Sequence, residues 1–226
     1  MTAAGLSLHS VSGVCITHDH VDHILYAGAY GEKLGVPVYG TDLVHTGIAN
    51  HPRTKIKIGA SKRVIAKDAP FCIGPFELTA FEVPHDGCDN VGYRIRYQEK
   101  TLVIATDLGH ISQEVAAQIS QAHYLVLEAN YDRQMLERGR YPVFLKQRIR
   151  HKYGHLSNDD AANFLASTAL PNLSQLFLCH LSQENNLPEL ALNTVTAALA
   201  GRGWKVGVDI QVHCLPRGKP SESYFL

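Results

Sequence analysis

The densest group of chemically active side chains lies at residues 17–23, which read Thr-His-Asp-His-Val-Asp-His. Three histidines and two aspartates occupy six positions here, directly after the apolar run at 14–16. A partly buried imidazole needs hydrogen-bond partners for its ring, so an ordinary surface loop gives no reason for such crowding. Neutral imidazole nitrogen and carboxylate oxygen are ligands that Zn²⁺, Mn²⁺ and Fe²⁺ accept. The segment therefore predicts a metal site, and two metal ions would use nearly all of these side chains.

Local geometry favours that interpretation. In an extended chain that follows a strand, His18 and His20 project to the same side, because side chains alternate with period two. Asp22 and His23 fall in the first turn of a predicted helix at 21–34 and could face a second metal. The alternative is a capped helix start with solvated histidines, which leaves their concentration unexplained.

Three more ligand-type residues each follow an apolar strand. His85 comes after residues 81–84, Asp107 after 102–106 and His180 after 176–179. Strand ends are where a rigid scaffold presents its chemistry. Each residue alone is more often structural, but together they supply the donors that two metals would still lack.

Composition limits the class of protein. The chain has 226 residues, 45% of them hydrophobic, and balances 21 basic against 21 acidic residues, so a sizeable core is expected and general affinity for polyanions or membranes is not. The five cysteines are odd in number, widely spaced and without a Cys-x-x-Cys pair. This pattern predicts a reducing, cytoplasmic setting rather than a disulfide framework or a thiolate zinc site. No 18-residue apolar run and no signal-peptide pattern is present, so no membrane association is expected.

The elements that must position these residues alternate between strand and helix, which predicts a single mixed α/β domain over residues 1–226. The predicted strands are 13–17, 37–39, 76–83, 91–97, 102–106, 124–127, 175–179 and 205–214. The predicted helices are 21–34, 42–49 with Thr41 or Asp42 as cap, 113–120, 188–199, and a region at 132–168 broken near 141–142 and at Gly154. Residues 52–68 carry basic side chains, among them Lys55, Lys57, Lys62, Arg63 and Lys67, and are expected to be exposed.

The combined motif resembles that of the metallo-β-lactamase-fold hydrolases. Their signature is Thr-His-x-His-x-Asp-His after a strand, followed by a His, an Asp and a His at later strand ends. The resemblance implies an αββα sandwich that binds two divalent metal ions, zinc or manganese with iron as a further option. It assigns one metal to His18, His20 and His85, the other to Asp22, His23 and His180, and gives Asp107 as the bridge between them.

The stretch between Asp107 and His180 is similar to the YycJ/WalJ-type branch of that family. It contains Leu-Glu-Ala-Asn-Tyr-Asp at 127–132, Gly-Arg-Tyr-Pro at 139–142, Leu-Lys-Gln-Arg-Ile at 145–149 and Gly-His-Leu-Ser-Asn at 154–158. The resemblance implies a phosphodiesterase or exonuclease that acts on nucleic acid through a metal-bridging hydroxide. Other interpretations are a hydrolase of small esters, thioesters or lactams, and a non-catalytic metal-binding protein.

Several residues receive roles that the sequence leaves open. Asp22 could orient the attacking hydroxide. His155 could bind the scissile phosphate or protonate the leaving oxygen with help from Ser157, or the two could belong to a capping segment before a helix. Asp19 could orient a histidine or be solvated. Basic residues at 146, 148, 150 and 152 could contact nucleic acid or form a solvated face, and those at 55–67 are less favoured for that contact.

The start of the chain differs from the family pattern. Family members have two or three strands and a helix before the histidine cluster, whereas sixteen residues precede Thr17 here. The chain is therefore expected to lack the N-terminal strands of the fold, as an N-terminally truncated domain. A homodimer could cover the sheet edge that this would expose.

Overall fold

The structure is a computed structural model that describes residue 5 and residues 7–225. The chain divides into two compact units, the first formed by Met1–Glu82 and Asp86–Tyr97 and the second by Val83–His85 and Gln98–Leu226. A single domain over the whole chain stays a prediction.

The first unit contains two groups of strands. Three short parallel strands, β1 (Val14–Cys15), β2 (Val38–Gly40) and β3 (Lys62–Val64), pair in that order. An antiparallel meander follows with β4 (Pro70–Ile73), β5 (Phe76–Glu82) and β6 (Val91–Tyr97). The helices of this unit are the 3₁₀-helix Leu8–Ser10, α1 (Val21–Ile24), the π-helix Ala29–Lys33 and α2 (Asp42–Asn50).

Apolar residues of β1, α1, β2 and α2 pack together as one core of the first unit, which fixes the segment carrying the histidine cluster. Its buried members, which include Ile16 just after β1 and Ala27 after α1, are Ile16, Ile24, Ala27, Val38, Val44 and Ile48. Thr41 caps α2 as predicted, because its hydroxyl accepts the backbone N–H of Val44 at 3.3 Å.

The second unit contains a parallel sheet with the order β7 (Lys100–Ala105), β8 (Tyr124–Glu128), β9 (Gln175–Cys179) and β10 (Gln211–Cys214). Its helices are α3 (Gln113–Ile119), α4 (Arg133–Arg138), α5 (Val143–Arg150), α6 (Asn158–Ser167) and α7 (Pro188–Gly201). The inner strands are nearly continuous apolar runs, which is typical of parallel strands covered on both faces. Leu125, Leu127, Leu176 and Leu178 are fully buried there.

The predicted α/β class is confirmed, and most predicted elements are present within a residue or two. The helix predicted at 21–34 is wrong in its continuity, because α1 ends at Ile24 and the chain resumes with the π-helix. Gly28 lies in this interruption, and a Cβ there would lie 1.8 Å from the carbonyl oxygen of Ile56, so only glycine admits the neighbouring segment at this point.

Two further differences concern strands. The predicted strand 205–214 is observed only as β10, because a turn with Gly207 at φ 89° occupies residues before it. β3 and β4 are absent from the sequence prediction, since both are short and largely polar or exposed. Within the described residues, no helix is long and apolar enough to cross a membrane.

Candidate metal centre

In the first unit, the motif at 17–23 passes from β1 into α1 and brings three imidazoles together. His18 is buried, and its ring centroid lies 4.5 Å from that of His20 and 4.1 Å from that of His23. The hydroxyl oxygen of Thr17 lies 3.0 Å from Nδ1 of His18 and 3.4 Å from Nδ1 of His23. A partner at Nδ1 fixes the ring orientation and leaves Nε2 as the nitrogen to present to a metal. Thr17 therefore positions two of the predicted ligands.

Carboxylates flank these imidazoles. Asp22 lies in the first turn of α1, with a mostly exposed side chain, and its Oδ2 is 3.7 Å from Nε2 of His23. Oδ1 of Asp86 is 3.2 Å from Nε2 of His20. The donor set in this unit is therefore nitrogen and oxygen, as the sequence predicts.

Asp19 has a role that the sequence did not suggest. Its Oδ1 accepts the backbone N–H of Cys88 at 3.0 Å, and α2 approaches so closely that a Cβ on Gly47 would lie 2.7 Å from the Cβ of Asp19. Burial raises the pKa of this carboxyl, but the hydrogen bonds from Cys88 and from its own backbone N–H, together with the charge of His20, lower the pKa overall. Asp19 is therefore anchored to the 86–90 loop and does not lie free in solvent, and an orienting role toward a histidine stays a prediction.

In the second unit, Asp107 and His180 occupy the predicted positions after β7 and β9, and both have unusual backbone conformations. Each has a φ of 56°, in the left-handed region that residues with a Cβ rarely adopt. Nε2 of His180 lies 3.2 Å from Oδ1 of Asp107. The amide nitrogen of Asn130 donates to the backbone oxygen of His180 at 2.8 Å, which helps to hold this conformation. Backbone strain of this kind persists where surrounding structure enforces it and is concentrated at functional sites.

Glu128, the last residue of β8, connects these elements and was missed by the sequence analysis. It is fully buried, and its Oε1 accepts hydrogen bonds from Nδ1 of His155 and Nδ1 of His180, both at 2.8 Å. Its Oε2 accepts the backbone N–H groups of Leu108 at 2.8 Å and Leu156 at 3.3 Å. Burial raises the pKa of this carboxyl, but the hydrogen bonds from the two histidines outweigh it and lower the pKa to about 2. Glu128 is therefore a carboxylate that four N–H donors surround.

We call Glu128 with its partners His155, His180, Leu108 and Leu156 the Glu128 clasp. The hydrogen bonds of this clasp determine which ring nitrogens the second unit can offer to a metal. His155 and His180 donate through Nδ1 to Glu128, and His85 donates through Nδ1 to the carbonyl oxygen of Gly154 at 2.9 Å. In the neutral ring, Nε2 then carries the lone pair of each, which is the nitrogen a metal needs. The ring centroid of His155 lies 5.1 Å from that of His85 and 5.3 Å from that of His180.

Ligand-type atoms of four residues in this unit lie within 4.8 Å of one another: Asp107, Glu128, His155 and His180. Because both oxygens of Glu128 already accept two N–H groups each, we assign it to orienting the histidines rather than to direct coordination. Burial lowers the pKa of His155, but the bond to Glu128 and its charge outweigh this and raise the pKa above its usual value.

Ser157 lies at the start of α6, and its fully buried hydroxyl is used within the cap. The hydroxyl accepts the backbone N–H of Asp160 at 3.1 Å and donates to the Asp160 carboxylate at 2.5 Å. The predicted capping is therefore observed. Asp159 and Asp160 lie in the first turn of α6, so this helix end already carries negative charge.

The basic residues at 146–152, just before the segment that carries His155 and Ser157, make contacts within the protein. Lys146 donates to the backbone oxygen of Glu137 at 2.6 Å, and Arg150 pairs with the Glu137 carboxylate at 2.6 Å. Nζ of Lys152 lies 5.0 Å from the ring centroid of Tyr153. α5 has no buried residue. This arrangement favours a solvated face over a dedicated phosphate contact.

Comparison with known proteins identifies the family. A model described as "Beta-lactamase superfamily domain" matches residues 2–181. The chain belongs to the beta-lactamase superfamily.

Two solved structures of similar fold agree with this placement. The metallo-beta-lactamase fold protein YhfI from Bacillus subtilis gives a TM-score of 0.68 at 18% identity and covers 94% of this chain and 78% of that one. Zn(2+)-bound PqqB from Methylobacterium extorquens gives a TM-score of 0.65 at 21% identity, and the match covers 88% of this chain and 71% of that one.

Two curated members of the superfamily are more similar in sequence. "Exodeoxyribonuclease YycJ" of Bacillus anthracis is 32% identical over 214 residues, which are 93% of this chain and 79% of that protein. "Exodeoxyribonuclease WalJ" of Streptococcus pneumoniae serotype 2 is 32% identical over 203 residues, which are 90% of this chain and 76% of that protein. The predicted resemblance to the YycJ/WalJ branch is confirmed.

Divalent metal ions are the cofactors that this superfamily fold implies, and the residues present fit them. The side chains gathered in each unit offer imidazole nitrogens and carboxylate oxygens, and in the second unit the imidazoles are fixed through Nδ1. This is the donor chemistry that zinc and manganese accept.

Proposed function

We propose that the chain is an exodeoxyribonuclease, a phosphodiesterase that uses two divalent metal ions to act on nucleic acid. The observation that carries this proposal is the 32% identity, over 93% of the chain, to a protein named as an exodeoxyribonuclease. The broader prediction, a metal-dependent hydrolase, is borne out by the superfamily and by the names of both curated relatives.

We assign the metal-binding role to the seven residues that the motif predicts: His18, His20, Asp22, His23, His85, Asp107 and His180. Asp107 is the bridging ligand in this proposal, because one carboxylate can offer an oxygen to each ion. When bound, such ions supply an activated water and neutralise charge on phosphate oxygens. Zinc and manganese are the proposed metals, and iron is compatible with the same donors.

The remaining roles belong to residues of the chain itself. His155, fixed through Nδ1 by Glu128, presents Nε2 to the scissile phosphate or to the leaving oxygen. Asp22 orients the attacking water. Ser157 acts through its cap of α6, which fixes the segment that carries His155, and the acidic first turn of that helix disfavours direct phosphate contact there.

The test is cleavage of 5′-phosphorylated and 3′-phosphorylated single-stranded DNA with Mn²⁺ or Zn²⁺, beside an assay of thioester turnover. The proposal predicts metal-dependent release of nucleotides from one end. Thioester turnover without phosphodiester cleavage would contradict it in favour of a small-molecule hydrolase. An inert protein with both metals bound would contradict it in favour of a metal-binding protein.

The role of His155 has a separate test with a matched control. His155→Ala is expected to reduce the rate of DNA cleavage by roughly 10²–10⁴-fold, the usual contribution of a positioned acid or base. His151→Ala removes an exposed histidine only four residues away and is expected to leave the rate unchanged. Equal rates for the wild type and His155→Ala would remove the proposed role.

Two other expectations stay predictions. A cytoplasmic location rests on the five cysteines, which form no disulfide. Formation of a homodimer likewise stays a prediction.

A further inference from the structure

An exposed aromatic ring follows the histidine cluster in the first unit. Tyr26 lies three residues after His23, in the turn after α1, and is 67% exposed. Two grooves meet at its ring. One, of about 410 Å³, lies between Tyr26, Tyr30 and Leu34, and the other, of about 380 Å³, extends from Tyr26 to Arg53 and Lys55. We call Tyr26, Lys33, Arg53 and Lys55 the Tyr26 surface.

The Tyr26 surface is rich in positive charge. Lys33, Arg53 and Lys55 are exposed, and none of them forms an ion pair within residues 7–225. Glu32, which precedes Lys33, directs its carboxylate to the 59–61 segment, where Oε1 accepts the Ser61 hydroxyl at 2.6 Å and the Gly59 N–H at 2.8 Å. These neutral donors leave its negative charge in place, so the surface carries three cations beside one carboxylate.

Other lysines of the same unit are engaged. Lys57 donates to the hydroxyl of Thr54 at 3.2 Å, and Lys62 pairs with Asp42 at 3.1 Å. The cations beside Tyr26 are therefore available to a ligand in a way that these two are not.

The surface is held in place by backbone contacts. The segment carrying Arg53 and Lys55 packs against the turn after α1 so closely that a Cβ on Gly28 would lie 1.8 Å from the oxygen of Ile56. Between the two basic residues, the Thr54 hydroxyl donates to the backbone oxygen of Ile48 at 2.6 Å. The aromatic ring and the cations are thus fixed relative to one another, which reduces the entropy lost when a ligand binds.

We propose that the Tyr26 surface binds single-stranded DNA, with a base stacked on Tyr26 and phosphates at Lys33, Arg53 and Lys55. An exposed ring bordered by unpaired cations is how proteins bind unpaired strands without sequence preference. Apolar grooves beside the ring accept base faces, which a duplex keeps inside its stack. The inference rests on the proposed function and names the form of nucleic acid that this enzyme would take.

The experiment is fluorescence anisotropy with the metal-loaded protein and a cleavage-resistant phosphorothioate oligo(dT). Tyr26→Ala is expected to weaken binding by about 5- to 100-fold, the effect of losing a base–aromatic stack, whereas Tyr26→Phe keeps the ring and binds within about twofold of wild type. The double variant Arg53→Gln/Lys55→Gln is expected to lower the slope of log affinity against log salt by about 1.4, or about 0.7 per phosphate contact.

An abasic strand of the same length separates stacking from a general structural effect. Tyr26→Ala should leave its binding unchanged, while the double charge variant should weaken it. Matched controls are Tyr97→Ala, which removes a ring that is 44% exposed on β6, and Lys205→Gln/Lys219→Gln, which removes two exposed charges elsewhere. Both controls should bind as wild type does.

Three results would overturn the inference. The first is equal binding of oligo(dT) by the wild type and Tyr26→Ala. The second is an equal loss by Tyr26→Ala on abasic DNA, and the third is a wild-type dimer that Tyr26→Ala dissociates, which would assign the surface to a second copy of the chain. If the proposed function itself fails, the wild type neither binds nor cleaves the oligonucleotide, which is a different result from all three.

Discussion

Glu128→Gln tests the clasp that orients the histidines of the second unit. The carboxylate accepts four hydrogen bonds, two on each oxygen, from His155, His180, Leu108 and Leu156. Glutamine is almost isosteric but offers one oxygen, and its NH₂ group can only donate. Whichever way the amide turns, two N–H donors lose their acceptor and face another donor.

The expected cost follows from those two donors. A buried donor left unsatisfied costs about 1–3 kcal/mol, so Glu128→Gln should lower the free energy of unfolding by roughly 2–6 kcal/mol. The histidines can relieve part of this by moving their proton from Nδ1 to Nε2. That change takes the lone pair away from the nitrogen that we assign to the metal, so metal affinity should fall by about 10- to 100-fold.

Two assays measure the two effects. Urea unfolding in the presence of a chelator gives the stability of the metal-free chain, and competition with a chelating dye gives the metal affinity. Glu137→Gln is the matched control, since Glu137 is exposed and pairs with Arg150, and it should cost less than about 1 kcal/mol. An unchanged unfolding free energy together with unchanged metal affinity in Glu128→Gln would refute this account of the clasp.

Three other substitutions test how the structure positions the site. Thr17→Val removes the hydroxyl beside Nδ1 of His18 and of His23 and should weaken metal binding by about tenfold, whereas Thr17→Ser keeps the hydroxyl and should bind as wild type does. Equal metal affinity in the wild type and both variants would argue against a positioning role for Thr17. Gly109→Ala places a Cβ 2.3 Å from the backbone oxygen of Lys152 and should lower the free energy of unfolding by about 1–3 kcal/mol. An unchanged thermal midpoint would show that the loop moves aside without cost. Asn186→Leu breaks a buried reciprocal amide pair with Asn158, which consists of two hydrogen bonds of 2.9 Å each. It should lower the free energy of unfolding, measured with urea, by about 2–4 kcal/mol. A loss below about 1 kcal/mol would mean that water replaces the lost amide.

The sequence predicted the positions of ligand-type residues well, because strand ends are readable from apolar runs. Asp107 and His180 follow β7 and β9 as expected. Glu128 carried the same signal, an acidic residue at the end of an apolar strand, and could have been recognised by that rule. Its four partners could not, since three of them come from the 154–156 segment and from the residue after β9, far along the chain.

The differences in secondary structure have local physical causes. The break after α1 coincides with the approach of Ile56 to Gly28, a tertiary contact that helix periodicity does not contain. Similarly, the position of Tyr26 beside Arg53 and Lys55 depends on how residues 52–56 fold back onto this stretch, which helix periodicity does not contain.

The most direct test of the central claim is a titration of the metal-free chain with Mn²⁺ in which the initial rate of single-stranded DNA cleavage is measured against the number of ions bound. We expect no cleavage without metal, a rate that rises to its maximum as two ions bind, and no recovery in Asp107→Ala. Cleavage that persists in the metal-free chain, or two bound ions with intact DNA, would contradict it.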